Sequence, residues 1–91
     1  MFIVVSYDIV NDKTRNKISK TMLDFGTRIQ YSVFECNLTE EQIKKMTKKL
    51  KRILNEKEDS IRIYFLCEHC LKKTEVLGKG EITKDREIYI L

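Results

Sequence analysis

Asp8 is the first residue of this sequence whose type and place point to chemistry. It stands near the end of an apolar, β-branched run, Phe2-Ile3-Val4-Val5-Ser6-Tyr7-Asp8-Ile9-Val10. A carboxylate at the edge of a buried strand is costly to desolvate unless something compensates its charge. A divalent cation would do so, and oxygen ligands favour Mg²⁺ or Mn²⁺. The plain structural alternative is a strand-end aspartate that caps the turn at Asn11-Asp12. On the residues alone both stand.

A second constellation is Cys67-Glu68-His69-Cys70. Cys-x-x-Cys beside a His is a residue set for zinc binding or thiol redox chemistry. It offers three ligands at most, so a tetrahedral zinc would need Cys36 or a second chain. No second Cys-x-x-Cys is present. The expectation is a pair of reduced thiols, with zinc at Cys67, His69 and Cys70 disfavoured. A third feature is the run from Lys44 to Arg52. Lys45, Lys49 and Arg52, spaced four and three apart, form one basic stripe that can track a phosphate backbone without reading sequence. An ordinary solvated helix face has the same pattern, and Glu40, Glu41 and Glu56 weaken its field.

The elements that must position these residues follow from periodicity. Phe2 to Val10 predicts a central strand, apolar on both faces. Asn11-Asp12 supplies a turn and a helix N-cap. Ile18, Met22 and Phe25 follow at helical spacing, with Lys13, Lys17 and Lys20 on another stripe. Gly26 is expected to end that helix as a left-handed cap. From Thr27 to Leu38, Ile29, Tyr31 and Val33 alternate with Arg28, Gln30, Ser32 and Phe34, which fits one long strand or two joined by a kink. Thr39-Glu40-Glu41-Gln42 matches a capping box. Ile43, Met46, Leu50, Ile53 and Leu54 then mark one apolar helix face. Ile61 to Cys67 predicts a strand with Ile61, Ile63, Phe65 and Cys67 on one face. Thr74 to Leu77 is a further candidate strand, and Glu87 to Leu91 a hydrophobic terminal one. A bare terminal strand invites pairing with another chain. The order suits an α+β, ferredoxin-like βαββαβ sandwich with an extra C-terminal strand.

The chain has 91 residues, which suits one domain spanning 1–91. A domain of this size buries only about 60–65 % of the surface its unfolded chain exposes, so dimerisation would add core. The charged fraction of 35 % beside 42 % hydrophobic residues is a globular mix and excludes a disordered chain. Lys and Arg exceed Asp and Glu by 18 to 14, a mild excess that suits a polyanionic partner or simply a solvated surface. No stretch approaches the roughly 20 apolar residues of a membrane span. The apolar start lacks a basic lead and soon meets Asp8, so no signal peptide is expected. Three cysteines without a secretory signal predict reduced thiols and a cytoplasmic location.

Three pieces of this pattern carry a resemblance. Tyr7-Asp8-Ile9 ends the first strand, Asn11-Asp12-Lys13-Thr14-Arg15 opens the helix, and Arg28-Ile29-Gln30-Tyr31-Ser32-Val33-Phe34-Glu35 forms the second block. Together and at this spacing they resemble the signature of the CRISPR-associated Cas2 family. The likeness is close over the first forty residues and looser over Ser60 to Leu66. Cys67-x-x-Cys70 lies outside it.

The resemblance implies a ferredoxin-like homodimer in which the C-terminal strand, here Glu87–Leu91, pairs with the partner's sheet. It also implies a strand break near Gln30–Ser32. Asp8 matches the family's catalytic aspartate, which faces its counterpart across the dimer and would share one Mg²⁺ with it. The implied activity is metal-dependent endonuclease cleavage of RNA or DNA. The implied setting is antiviral defence, as the central subunit with Cas1 integrase dimers in spacer acquisition. Hydrolysis would use a metal-activated water and a polarised phosphoryl oxygen. Arg15 and Arg28 can steady phosphate oxygens, Tyr7 and Phe34 can touch a base or serve as core, and Ser32 can orient a ligand or satisfy the kink. One carboxylate per chain and no obvious general base leave a second expectation: a non-catalytic scaffold that grips duplex DNA and bridges integrase dimers. A remoter one is a toxin-like ribonuclease of related fold.

Overall fold

The structure, a computed structural model, describes residues 1–83. Four strands and three helices run in the order β1 (Phe2–Asp8), α1 (Asp12–Leu23), β2 (Thr27–Gln30), β3 (Val33–Asn37), α2 (Glu40–Ile53), β4 (Ser60–Leu66) and α3 (Glu68–Lys72). The strands form one sheet in the order β2-β3-β1-β4, with every neighbouring pair antiparallel. This is the ferredoxin-like arrangement: two βαβ crossovers interleaved, with β1 central. The expected strand after Thr74 is not formed. Residues 74–77 are irregular, and Val76 and Leu77 are exposed. The C-terminal strand expected at Glu87–Leu91 lies outside the described residues.

Both long helices begin where polar side chains satisfy free backbone N–H groups. Asn11 Oδ1 accepts the Thr14 N–H at 3.1 Å. Thr39 and Gln42 form the expected capping box, each side chain accepting the other's backbone N–H, at 3.2 and 2.9 Å. Such a cap is worth about 1 kcal/mol.

These helices lie on one face of the sheet. Ile18 and Met22 of α1 and Ile43, Met46 and Leu50 of α2 meet Ile3, Val5, Tyr7, Phe34 and Cys36 in one core cluster. Register sets this face: Val5 stands opposite Phe34 on β3 and Ile63 on β4, and Ile3 opposite Cys36 and Phe65. In the second block it is thus Phe34 and Cys36 that turn inward, while Ile29 and Tyr31 are 44 % and 77 % exposed. The break falls at Tyr31–Ser32, with a register irregularity between Arg28 and Gln30.

Gly26 differs from expectation. It has no left-handed backbone; only Gly78 and Gly80 have positive φ among the described residues. A Cβ at Gly26 would lie 2.4 Å from Cys36 Sγ and 2.5 Å from the Glu35 carbonyl oxygen. Glycine is required here by the close approach of the α1–β2 turn to β3.

Candidate functional site

Alternation along β1 sends Tyr7 and Asp8 to opposite faces. Tyr7 joins the core, whereas Asp8 ends the strand exposed. The expectation of a carboxylate buried at a strand edge is therefore corrected. β1 is central, but its last residue lies at the rim of the sheet, where water solvates it. The turn-capping role also falls to other residues. Asn11 caps α1. Asp59 Oδ1 accepts the Val10 N–H at 3.0 Å, and its Oδ2 accepts the Asn55 N–H at 2.9 Å. Arg15 Nη2 donates to the carbonyls of Ile9 and Val10 at 3.1 and 3.4 Å. Among the described residues, no hydrogen bond or ion pair engages the Asp8 carboxylate. Its charge is uncommitted.

Around Asp8 the open face of the sheet forms a polar hollow of about 230 Å³, lined by Ser6, Tyr7, Asp8, Ser60, Arg62 and Tyr64. The pairing of β1 with β4 builds it: Asp8 stands opposite Ser60 and Ser6 opposite Arg62. Asp8 and Arg62 are thus diagonal neighbours, within reach of a long side chain. Arg62 Nη1 instead donates to the Tyr64 hydroxyl at 3.5 Å. A guanidinium is charged at any physiological pH, and that hydrogen bond pushes its pKa further up. Arg62 and Tyr64 line this hollow, and attention to Asp8 alone misses them. Their signal was the alternation of β4: if Ile61 and Ile63 face the helices, Arg62 and Tyr64 must face the other way.

A larger cavity, about 300 Å³, lies between the end of α2 and β4 and shares Ser60 with the first. It is a weaker candidate on chemical grounds. Leu50, Leu54, Ile61 and Ile63 line it, and the Asp59 carboxylate at its rim is spent on two backbone N–H groups.

The other expected residues gather on the helix-bearing side. Tyr7 and Phe34 stack with centroids 6.2 Å apart. The Arg28 guanidinium lies over Phe34 at 5.4 Å and over Tyr31 at 6.0 Å. A small cleft of about 80 Å³ joins Tyr7, Arg15, Asn16, Ser19, Arg28 and Tyr31. Arg15 is committed locally, pairing with Asp12 at 2.7 Å besides its two carbonyls. Ser32 works through its backbone, its carbonyl accepting the Tyr7 N–H at 3.1 Å. The structure therefore brings Tyr7, Arg15, Arg28 and Phe34 together on the helix-bearing side, whereas alternation turns the Asp8 side chain to the other face. Lys45, Lys49 and Arg52 are all exposed on α2, with Lys49 Nζ 5.6 Å over the Phe25 ring.

Asp8 matches Mg²⁺ or Mn²⁺ in donor type, an accessible carboxylate with free lone pairs. One chain offers only that ligand: among the described residues no three His, Cys, Asp or Glu side chains converge on a metal position. For zinc, Cys36 is fully buried in the core while Cys67 and Cys70 are exposed, so the three thiols do not share a site. Cys67 is the N-cap of α3, not the end of β4.

Comparison with known proteins gives this geometry its relatives. The family model described as CRISPR associated protein Cas2 matches residues 1–74. A Synechocystis protein named CRISPR-associated endoribonuclease Cas2 3 is 39 % identical over 81 residues, covering 89 % of this chain and 88 % of the relative. Among solved structures, Streptococcus pyogenes Cas2 matches with a TM-score of 0.75 and 35 % identity, covering 86 % of this chain and all of that one. A chain of a Cas6-RT-Cas1–Cas2 complex matches with a TM-score of 0.73 and 29 % identity, over 84 % of this chain and 89 % of that one. Among the described residues, no helix is long and apolar enough to cross a membrane.

Proposed function

The chain belongs to the CRISPR associated protein Cas2 family, and from that premise we propose that it is an endonuclease of CRISPR adaptation whose site is the hollow around Asp8. The observation that carries this reading is the uncommitted carboxylate. Asp8 does no structural work at its own corner, yet it sits beside a permanently charged Arg62 on the face that α1 and α2 leave open.

A homodimer supplies what one chain lacks. Asp8 and the partner subunit's Asp8 would hold Mg²⁺, with Mn²⁺ able to take its place, and the ion when bound would acidify a water and polarise a phosphoryl oxygen. The chain's own residues do the rest. Arg62 reaches a phosphate oxygen with charge-assisted hydrogen bonds. Tyr64 holds the guanidinium in position, and Ser6 and Ser60 offer hydroxyls along the hollow. Substrate is RNA or DNA, held also by the exposed stripe of Lys45, Lys49 and Arg52 through non-specific phosphate contacts. The Cas1–Cas2 complex among the structural relatives supports a Cas1 partner. The reduced thiols suit work in the cytoplasm.

The test is cleavage of labelled single-stranded RNA and duplex DNA, with Mg²⁺ or EDTA, by wild type and Asp8→Asn. The expected result is metal-dependent cleavage by wild type and loss in the variant, with an unchanged sedimentation coefficient. Equal cleavage by the two proteins, or none by wild type, would overturn Asp8 as the catalytic ligand.

A further inference from the structure

The turn that closes β4 carries two thiols for which nuclease chemistry has no use. Cys67 and Cys70 are both exposed and both reduced. Cys67 Sγ accepts the backbone N–H of Cys70 at 3.4 Å. The Cys70 side chain lies near enough to it for each sulfur to shift the other's pKa. Residues three apart in a turn lie within about 7 Å at Cα, the outer limit of the span a disulfide bridges. The third cysteine, Cys36, is sealed in the core and cannot compete.

We propose that Cys67 and Cys70 form a reversible dithiol–disulfide centre that exchanges with small-molecule disulfides, with Cys67 the attacking sulfur and Cys70 the resolving one. The assignment of roles follows from the hydrogen bonds. Cys67 Sγ accepts the Cys70 backbone N–H, which stabilises its thiolate and, together with the neighbouring Cys70 side chain, lowers its pKa from the ordinary thiol value. Among the described residues Cys70 has no such stabiliser, and the Cys67 side chain beside it raises its own pKa. A thiolate is the species that attacks a disulfide.

The exchange balances in two displacements. The Cys67 thiolate attacks one sulfur of RS–SR; that bond breaks, a Cys67–SR mixed disulfide forms and RS⁻ leaves. Cys70 then loses its proton and attacks Cys67 Sγ, forming the Cys67–Cys70 bond and expelling the second RS⁻. The protons given up by the two cysteines end on the two RS⁻ groups. The protein dithiol is oxidised by two electrons, and one disulfide is reduced to two thiols. Reduced thiol in excess reverses both steps. The centre closes a short loop within the exposed turn and leaves the buried core untouched.

The experiment is equilibration of the full-length protein in buffers of reduced and oxidised glutathione, followed by acid quench, alkylation and peptide mapping. Wild type is expected to gain a Cys67–Cys70 disulfide as the buffer becomes oxidising and to lose it on return to reduced glutathione. Cys70→Ser should stop at a glutathione adduct on Cys67. In wild type at neutral pH, a substoichiometric alkylating agent should label Cys67 roughly tenfold over Cys70. Both thiols still free in wild type under oxidising glutathione would overturn the proposal, and that reading needs no variant to fold. Equal adduct formation and alkylation at the two cysteines would overturn the assignment of roles. Stoichiometric zinc in the purified protein, released when Cys67 and Cys70 are alkylated, would replace the redox centre with a metal site.

Discussion

Replacing Gly26 by alanine tests whether the α1–β2 turn is set by close approach or by backbone conformation. The added Cβ would meet Cys36 Sγ at 2.4 Å, the Glu35 carbonyl oxygen at 2.5 Å and Cys36 Cβ at 3.2 Å. The first two separations are shorter than real Cβ contacts, and one of them is to the backbone of β3, which cannot rotate away. Gly26 is itself buried, so the new methyl group has no solvent side to escape to. Overpacking of this kind costs about 1–3 kcal/mol, and a blocked backbone puts this site at the upper end. For a chain of this size, about 3 kcal/mol lowers Tm by about 12–24 °C. Thermal and urea unfolding at one fixed protein concentration would read it. Cys36→Ala removes the Sγ obstacle and leaves the carbonyl, so the cost of Gly26→Ala should fall by roughly 1 kcal/mol in that background without vanishing. Gly26→Asn discriminates the causes: asparagine tolerates positive φ, yet it should be at least as damaging as alanine. A neutral Gly26→Ala, or an asparagine variant more stable than the alanine one, would refute the packing argument.

Arg62→Ala should cut kcat/KM for nucleic-acid cleavage by roughly 10- to 150-fold, the loss of one charged hydrogen bond to phosphate, while leaving the unfolding midpoint unmoved. Asp8→Asn should change stability by less than about 0.5 kcal/mol, measured by urea titration, because an exposed carboxylate without a partner among the described residues contributes little. Asp59→Ala removes the acceptor of two backbone N–H groups and should cost about 1–2 kcal/mol in the same titration; it should also lower activity, because the Val10 N–H it holds is two residues from Asp8. Reversing Lys45, Lys49 and Arg52 to Glu should weaken duplex binding and flatten its salt dependence, read by titration at several ionic strengths. The slope should fall by close to one unit for each of the three side chains that neutralises a phosphate in the wild type.

The elements were legible where a single period or cap dominated. The apolar run of β1, the Thr39–Gln42 capping box and the Ile43-Met46-Leu50 face each had one physical reading, and each is present. The second block was harder because both of its alternating sets contain apolar residues. Ile29 lies on β2, where every residue is exposed, and Tyr31 stands in the turn beyond it; both exposures follow from the tertiary arrangement and not from local sequence. The Gly26 prediction failed for a similar reason. A glycine after a helix usually answers a need for positive φ, whereas here it answers close packing against Glu35 and Cys36, some ten residues further along the chain. The place of Asp8 at the end of β1 was legible in the strand pattern. Its freedom from local work was not, because that depends on Asp59, brought to the β1–α1 corner from the loop before β4.

The separation of Tyr7 from Asp8 constrains how the site works. The Tyr7-Asp8 pair is contiguous in sequence, which tempts one to place both on the substrate. In a strand of period two they cannot share a face. Tyr7 is 4 % exposed and stacked on Phe34, whose ring underlies the Arg28 guanidinium. Its hydroxyl donates to the Tyr31 carbonyl at 3.5 Å, and its backbone N–H to that of Ser32. Tyr7 therefore ties the β2–β3 turn to the end of β1, and the register of β1 in turn sets where Asp8 meets Ser60 and Arg62. A defect at Tyr7 would reach Asp8 through the strand they share. Arg28, over the Phe34 and Tyr31 rings, lies on the helix side, so under the proposed function it would not share a phosphate with Asp8 and Arg62 on the open face. A nucleic acid that uses both Arg28 and Asp8 must pass around the rim of the sheet, where Tyr31 stands exposed.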